Sequence, residues 1–213
     1  MSRADTRRTT THVVLLPGGK ADSSLASRPW QLANLRMAWL QLALRRRLPR
    51  HVAISRVRYR LRGWNAPRED PVGDAAAVLD RLPIRARVIL VGHSMGGRVA
   101  AHLAERPEVI GVVALAPWWP AGEAERIPAG TRLTTLHGTT DTWTDPMASR
   151  RQTERAAQRG VDARWTPMPG GHFMIRDVRA WHRLTAEAVA MSACPVAASA
   201  TEHADITDDS YGA

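Results

Sequence analysis

The segment Arg87–Glu105, RVILVGHSMGGRVAAHLAE, restricts the fold of this chain more than any other. An apolar, β-rich run leads into Gly92-His93-Ser94-Met95-Gly96, and a helical pattern leaves it with no linker between. A strand that turns into a helix around one residue brings two backbones together at Ser94. Side chains at positions 92 and 96 would collide there, so both are glycine. The strained turn lifts the serine hydroxyl above the strand end, and the free N–H groups of the helix start point to the same place. GxSxG alone is a weak pattern, but between this strand and this helix it is a strong one.

The remainder of the chain repeats the strand-then-helix order. β-rich runs occur at His12–Leu16, Val52–Leu61, Arg87–Val91, Val109–Leu115, Arg132–His137 and Asp162–Met168. Helical patterns fill Pro29–Leu48, Pro71–Leu82, Met95–Glu105, Pro146–Arg159 and Met174–Met191. Such alternation predicts an α/β fold: a doubly wound, all-parallel sheet of about six strands with helices on both faces. Ligands then bind at the carboxyl ends of the strands. With 213 residues the chain makes one domain, expected over residues 12–192. Residues 1–11 and the acidic stretch 193–213 lack hydrophobic periodicity and are expected to be disordered tails.

Composition narrows the function classes. Apolar residues at 44% and charged residues at 23% describe a globular protein, and no apolar run approaches the roughly 20 residues of a bilayer span. The single cysteine, Cys194, fits a reducing compartment, and cytoplasmic localisation with no membrane partner is expected. A net charge of +10 would suggest nucleic acid. Of 30 basic residues, however, only Lys20 is lysine, a skew that points to GC-rich coding rather than phosphate contacts, so no nucleic-acid partner is expected. No His, Cys, Asp and Glu cluster has metal-ligand spacing, so no metal is expected.

On the elbow and the strand order, the chain resembles the alpha/beta-hydrolase fold family over roughly His12–Met191. That resemblance implies a nucleophile, an acid and a histidine in that chain order, after successive strands. Ser94 is the nucleophile. Asp141, in LHGTTDTWTDP after the run Arg132–His137, stands where the family places its acid, with Asp145 as the alternative. His172, in PMPGGHFMI after the last run, stands where the family places its histidine. His93, His102, His137 and His182 are read as core or surface residues. The oxyanion hole is expected from the Met95 N–H and from the loop Pro17-Gly18-Gly19, with Gly19 as donor and Lys20 as the neighbouring alternative. The implied reaction is hydrolysis of a carboxylic ester, lactone or thioester through an acyl-enzyme on Ser94, with no cofactor. The alternative is acyl transfer, lyase or cyclase chemistry with the same residues.

Only 16 residues, Ala116–Thr131, separate the fourth and fifth runs, so no lid domain fits. The chain thus resembles small, lidless family members of actinobacterial type, acting on a small-molecule acyl substrate. Trp64, Trp118, Trp119 and Trp143 follow strand ends and are expected either to wall the acyl pocket or to staple loops to the core. Trp30, Trp39, Trp165 and Trp181 are read as core residues or staples. Arginines crowd positions 45–62, around a run expected at a sheet edge, where charge discourages strand addition. The alternative role of that patch is docking an acidic carrier protein.

Overall fold

The computed structural model describes residues 10–120 and 122–194. Six strands form one sheet: β1 (Thr11–Leu16), β2 (Ala53–Arg56), β3 (Arg87–His93), β4 (Val109–Leu115), β5 (Arg132–Gly138) and β6 (Ala163–Met168). Every pairing is parallel, in the order β2-β1-β3-β4-β5-β6. The described residues hold five α-helices, of which four link consecutive strands and the last follows β6: α1 (Leu32–Arg47), α2 (Asp70–Leu79), α3 (Met95–Leu103), α4 (Pro146–Gln158) and α5 (Val178–Ala193). Among the described residues no helix is long and apolar enough to cross a membrane.

Side chains alternate across the sheet, and both of its faces are covered. Val14, Leu16, Val88 and Leu90 pack with Leu79 of α2, Val99 of α3 and Ala156 of α4. Val13, Leu15, Ile89 and Val91 face the other way, onto Met37 and Leu40 of α1 and Trp181 of α5. Burial on both sides is why these strands read as unbroken apolar runs rather than alternating ones. Each such fully buried valine or leucine stabilises the fold by about 2 kcal/mol relative to exposure.

β1 and β3 are neighbours, yet the helices that follow them lie on opposite faces. The carboxyl ends of these two strands therefore open onto a crevice between α1 and α3, the switch point of the sheet. Ser94 ends one side of that crevice and Pro17-Gly18-Gly19 the other.

Two elements differ from their sequence expectation. The run from Val52 to Leu61 pairs with β1 only over Ala53–Arg56, because β1 itself stops at Leu16. The chain beyond pairs instead with the long β1–α1 loop, through Lys20 with Gly63 and Ala26 with Leu61. β2 is the edge strand. The last helix begins at Val178 rather than Met174, since Met174 and Asp177 adopt left-handed φ of 56° and 52°, and the Asp177 carboxylate caps the Ala180 N–H at 3.2 Å.

Between β4 and β5 the described residues form a single short 3-10 turn, Glu123–Arg126. Gln152 of α4 ties this connection down, donating to the Trp119 and Pro120 carbonyls at 3.1 and 2.9 Å and accepting from the Ala124 N–H at 3.1 Å. It is a belt over α4, not a lid. Of the stretches expected as tails, residues 1–9 and 195–213 lie outside the described residues, while Thr11 opens β1 and Ala193 closes α5.

Candidate active site

Ser94 sits between β3 and α3 with φ 54° and ψ −119°, a conformation that costs a non-glycine residue about 1–3 kcal/mol. The surrounding backbone holds it there. Its N–H donates to the Leu115 carbonyl at 3.0 Å, and its carbonyl accepts from the Gly97 and Trp118 N–H groups at 2.9 and 3.0 Å. A Cβ on Gly92 would run into the Gly96 carbonyl, and one on Gly96 into the Leu16 carbonyl of β1. The helix start is thus pressed against both neighbouring strands. Met95 is the first residue of α3, where backbone N–H groups have no partner within the helix.

The β1–α1 loop closes on the serine from the other side. A Cβ on Gly18 would lie 3.3 Å from Ser94 Cβ and 3.2 Å from His93 Nδ1, so this backbone lies directly against the elbow. Lys20 donates its N–H to the Arg62 carbonyl at 2.9 Å and accepts from the Trp64 N–H at 2.8 Å. That donor is occupied. Among the described residues the Gly19 N–H has no such acceptor.

Asp141 and His172 are brought together by two hydrogen-bonded loops. The Thr139 N–H donates to the Met168 carbonyl at 2.9 Å and the Thr140 N–H to the Gly170 carbonyl at 3.1 Å. Gly138 permits the approach, since a Cβ there would strike the Gly170 carbonyl. The result is a 2.8 Å hydrogen bond from His172 Nδ1–H to Asp141 Oδ2. His137 Nε2–H reaches the same oxygen at 3.1 Å, and the Thr144 hydroxyl donates to it at 2.9 Å. Oδ1 accepts the Trp143 and Thr144 N–H groups at 2.7 and 3.0 Å. Burial pushes the Asp141 carboxyl up, but the bonds from His137, His172 and the Thr144 backbone outweigh it and hold the group well below the usual carboxylate range. Asp145, by contrast, caps α4 by accepting from the Met147 N–H at 2.8 Å and faces Arg151 in the open. It touches neither histidine.

Two histidines read from sequence as bystanders belong to this network. His137, at the end of β5, is fully buried; its Nδ1 lies 2.7 Å from the Ser149 hydroxyl oxygen, which also accepts from Trp165 Nε1–H at 3.1 Å. His93, beside the serine, donates Nε2–H to the His172 carbonyl at 2.8 Å. Burial first, and then the charges of His172 and Arg36, push the His93 pKa well below the ordinary histidine value, so His93 is neutral. The signal available for His137 was its place at a strand end four residues before an acid. For His93 there was none, because its partner is 79 residues away in the chain.

A model of the alpha/beta hydrolase family matches residues 13–209. The chain belongs to the alpha/beta hydrolase family. Among solved structures, the esterase Pf2001 of Pyrococcus furiosus superposes with a TM-score of 0.63 at 16% identity, covering 86% of this chain and 81% of that one. Est1E of Butyrivibrio proteoclasticus superposes with a TM-score of 0.62 at 13% identity, covering 90% and 91%. The ferulic acid complex of Est1E gives 0.63 at 13% identity, covering 89% and 92%. At these identities the likeness is one of fold. No curated protein matches the sequence.

In this alpha/beta hydrolase a cavity of about 520 Å³ adjoins Ser94 and His172. Its walls are mostly apolar and come from α1 (Leu35, Trp39, Leu40), the loop after His172 (Phe173, Ile175) and α5 (Trp181). Trp143 forms part of the rim, stacked on the His172 ring at 6.2 Å and 20°. Trp64, Trp118 and Trp119 do not line this cavity. Trp119 is buried and donates Nε1–H to the Gly97 carbonyl at 3.0 Å, bracing the elbow helix from behind. Trp64 and Trp118 clasp the Arg98 guanidinium, 4.1 and 4.8 Å above their rings, on the far side of α3.

Proposed function

We propose that this protein is a serine hydrolase of carboxylic esters in which Ser94 is the nucleophile, His172 the general base and Asp141 the group that orients His172 and stabilises its imidazolium. The observation that carries the reading is the 2.8 Å bond between His172 Nδ1 and Asp141 Oδ2, with His172 lining the same cavity as Ser94. With Nδ1 protonated and held by the carboxylate, the Nε2 lone pair is free to take the serine proton. Ser94 Oγ attacks the carbonyl carbon, and the oxyanion is met by the Met95 and Gly19 N–H groups. His172 then passes its proton to the leaving alkoxide, and water repeats the sequence to free the acid. The acyl group lies in the apolar cavity, whose size and aromatic walls suit an aromatic or medium-length acyl chain. Est1E, which shares the fold, has been solved with ferulic acid, an aromatic acid, bound.

A fluorophosphonate probe tests this reading. It should label Ser94 in the folded protein and spare Ser94→Ala, and 4-nitrophenyl esters should be turned over by the former alone. A folded protein that the probe leaves unlabelled would sink the proposal.

A further inference from the structure

Arg36 projects from α1 into the wall of the cavity beside Ser94 and is the one arginine or lysine lining it among the described residues. Its Nε–H donates to the Phe173 carbonyl at 2.9 Å, and its guanidinium lies 5.1 Å from the Phe173 ring centroid. The four N–H bonds of its two terminal nitrogens have no acceptor among the described residues. Among the described residues no aspartate or glutamate lines the cavity. The buried carboxylate of the site, Asp141, has both oxygens taken by donors from Trp143, Thr144, His137 and His172. Arg36 is half-buried, and burial pulls its pKa below the ordinary guanidinium value. Its charge reaches His93, next to the nucleophile.

A guanidinium drawn from water into apolar surroundings is costly unless an anion meets it, and its planar fork matches a carboxylate with two parallel hydrogen bonds. Among the described residues no such anion meets it. We infer that the substrate does: the acyl group that Ser94 accepts ends in a second carboxylate, which Arg36 binds, so that the preferred substrates are half-esters of dicarboxylic acids. The apolar walls from α1 and α5 take the methylenes between the two carboxyl ends. The inference rests on the proposed role of Ser94 and adds the substrate class.

The test compares 4-nitrophenyl half-esters of glutaric, adipic and suberic acids with the same compounds capped as methyl esters, on the full chain. At least one free half-ester should exceed its capped partner by about tenfold or more in kcat/KM, the range of one hydrogen-bonded charge pair. Arg36→Gln should bring that ratio close to one, chiefly through KM of the free acid, and Arg36→Lys should restore part of it. Arg46→Gln, an exposed charge on the same helix, should keep the ratio, which separates the cavity contact from general attraction by a basic protein. A capped ester cleaved as fast as its free acid in the wild type, or a ratio that survives Arg36→Gln, would overturn the inference. So would Ser94 that is labelled by fluorophosphonate while no half-ester is cleaved. An unlabelled Ser94 would instead overturn the hydrolase reading on which it stands.

Discussion

His137 Nε2 stands 3.1 Å from Asp141 Oδ2, on the same oxygen that His172 Nδ1 meets at 2.8 Å, so one carboxylate is gripped by two histidines. His172 reaches the cavity with Ser94, whereas His137 is sealed inside the fold. The second histidine lowers the proton affinity of Asp141 and fixes the direction of its lone pairs.

His137→Gln should therefore lower kcat by roughly tenfold, about the worth of one hydrogen bond to a charged group, while leaving KM nearly unchanged. Its distinguishing readout is acid stability. Because the folded Asp141 carboxyl lies below its unfolded value, it adds stability above pH about 4 and surrenders it only as pH falls toward the folded pKa. Without the His137 donor the folded pKa rises toward the unfolded value and less stability depends on ionised Asp141, so thermal melts should show the variant less stable than the parent at pH 6 but losing less stability as pH falls from 6 to 2. Superimposable acid profiles would count against this role.

Asp141→Asn and Asp145→Asn separate the two acids. The first should cost on the order of 10³–10⁴ in kcat, since an amide cannot hold His172 in the required tautomer. Asp145→Asn should keep turnover, for Asp145 only caps α4, where asparagine is also a good cap. Steady-state kinetics of both variants on one 4-nitrophenyl ester decide the matter, and the opposite ranking would move the acid to Asp145.

Stability should fall as pH drops below about 6.5, and part of that slope should belong to His93. The folded state keeps His93 neutral by burial while the unfolded chain protonates it, so the unfolded state binds more protons throughout that window and gains as pH falls. His93→Gln should flatten the melting temperature between pH 7 and pH 5. A slope unchanged in the variant would assign it to His12 and His182, whose pKa values burial also lowers.

Trp119→Ala and Trp39→Ala should behave oppositely. Trp119 is buried behind the elbow, so its loss leaves a cavity costing about 3–5 kcal/mol and lowers the melting temperature. Trp39 is 64% exposed at the cavity wall, so its removal should spare the melting temperature and shift the acyl-chain profile of kcat/KM. Calorimetry and an ester series read the two effects apart.

The elbow, the alternation of strands and helices, and the chain order of Ser94, Asp141 and His172 were legible in the sequence because each rests on local chemistry. Glycines at 92 and 96, the apolar runs Val88–Val91 in β3 and Val109–Leu115 in β4, and an acid and a histidine just past strand ends need no knowledge of the rest of the molecule. Which side chains surround the serine was decided only by tertiary packing. α1 is apolar nearly all round, with Met37, Leu40 and Leu44 buried and Leu32, Trp39 and Leu42 exposed, so no periodicity marks the stripe that faces the cavity. Trp118 and Trp119 follow β4 as Trp143 follows β5, and nothing local tells a ring that turns behind α3 from one that turns over His172. His137, His93 and Arg36 acquire their partners through contacts among separate elements. A hydrogen bond across 79 or 137 residues leaves no trace in spacing, because only the closed sheet and the helices docked on it set that distance.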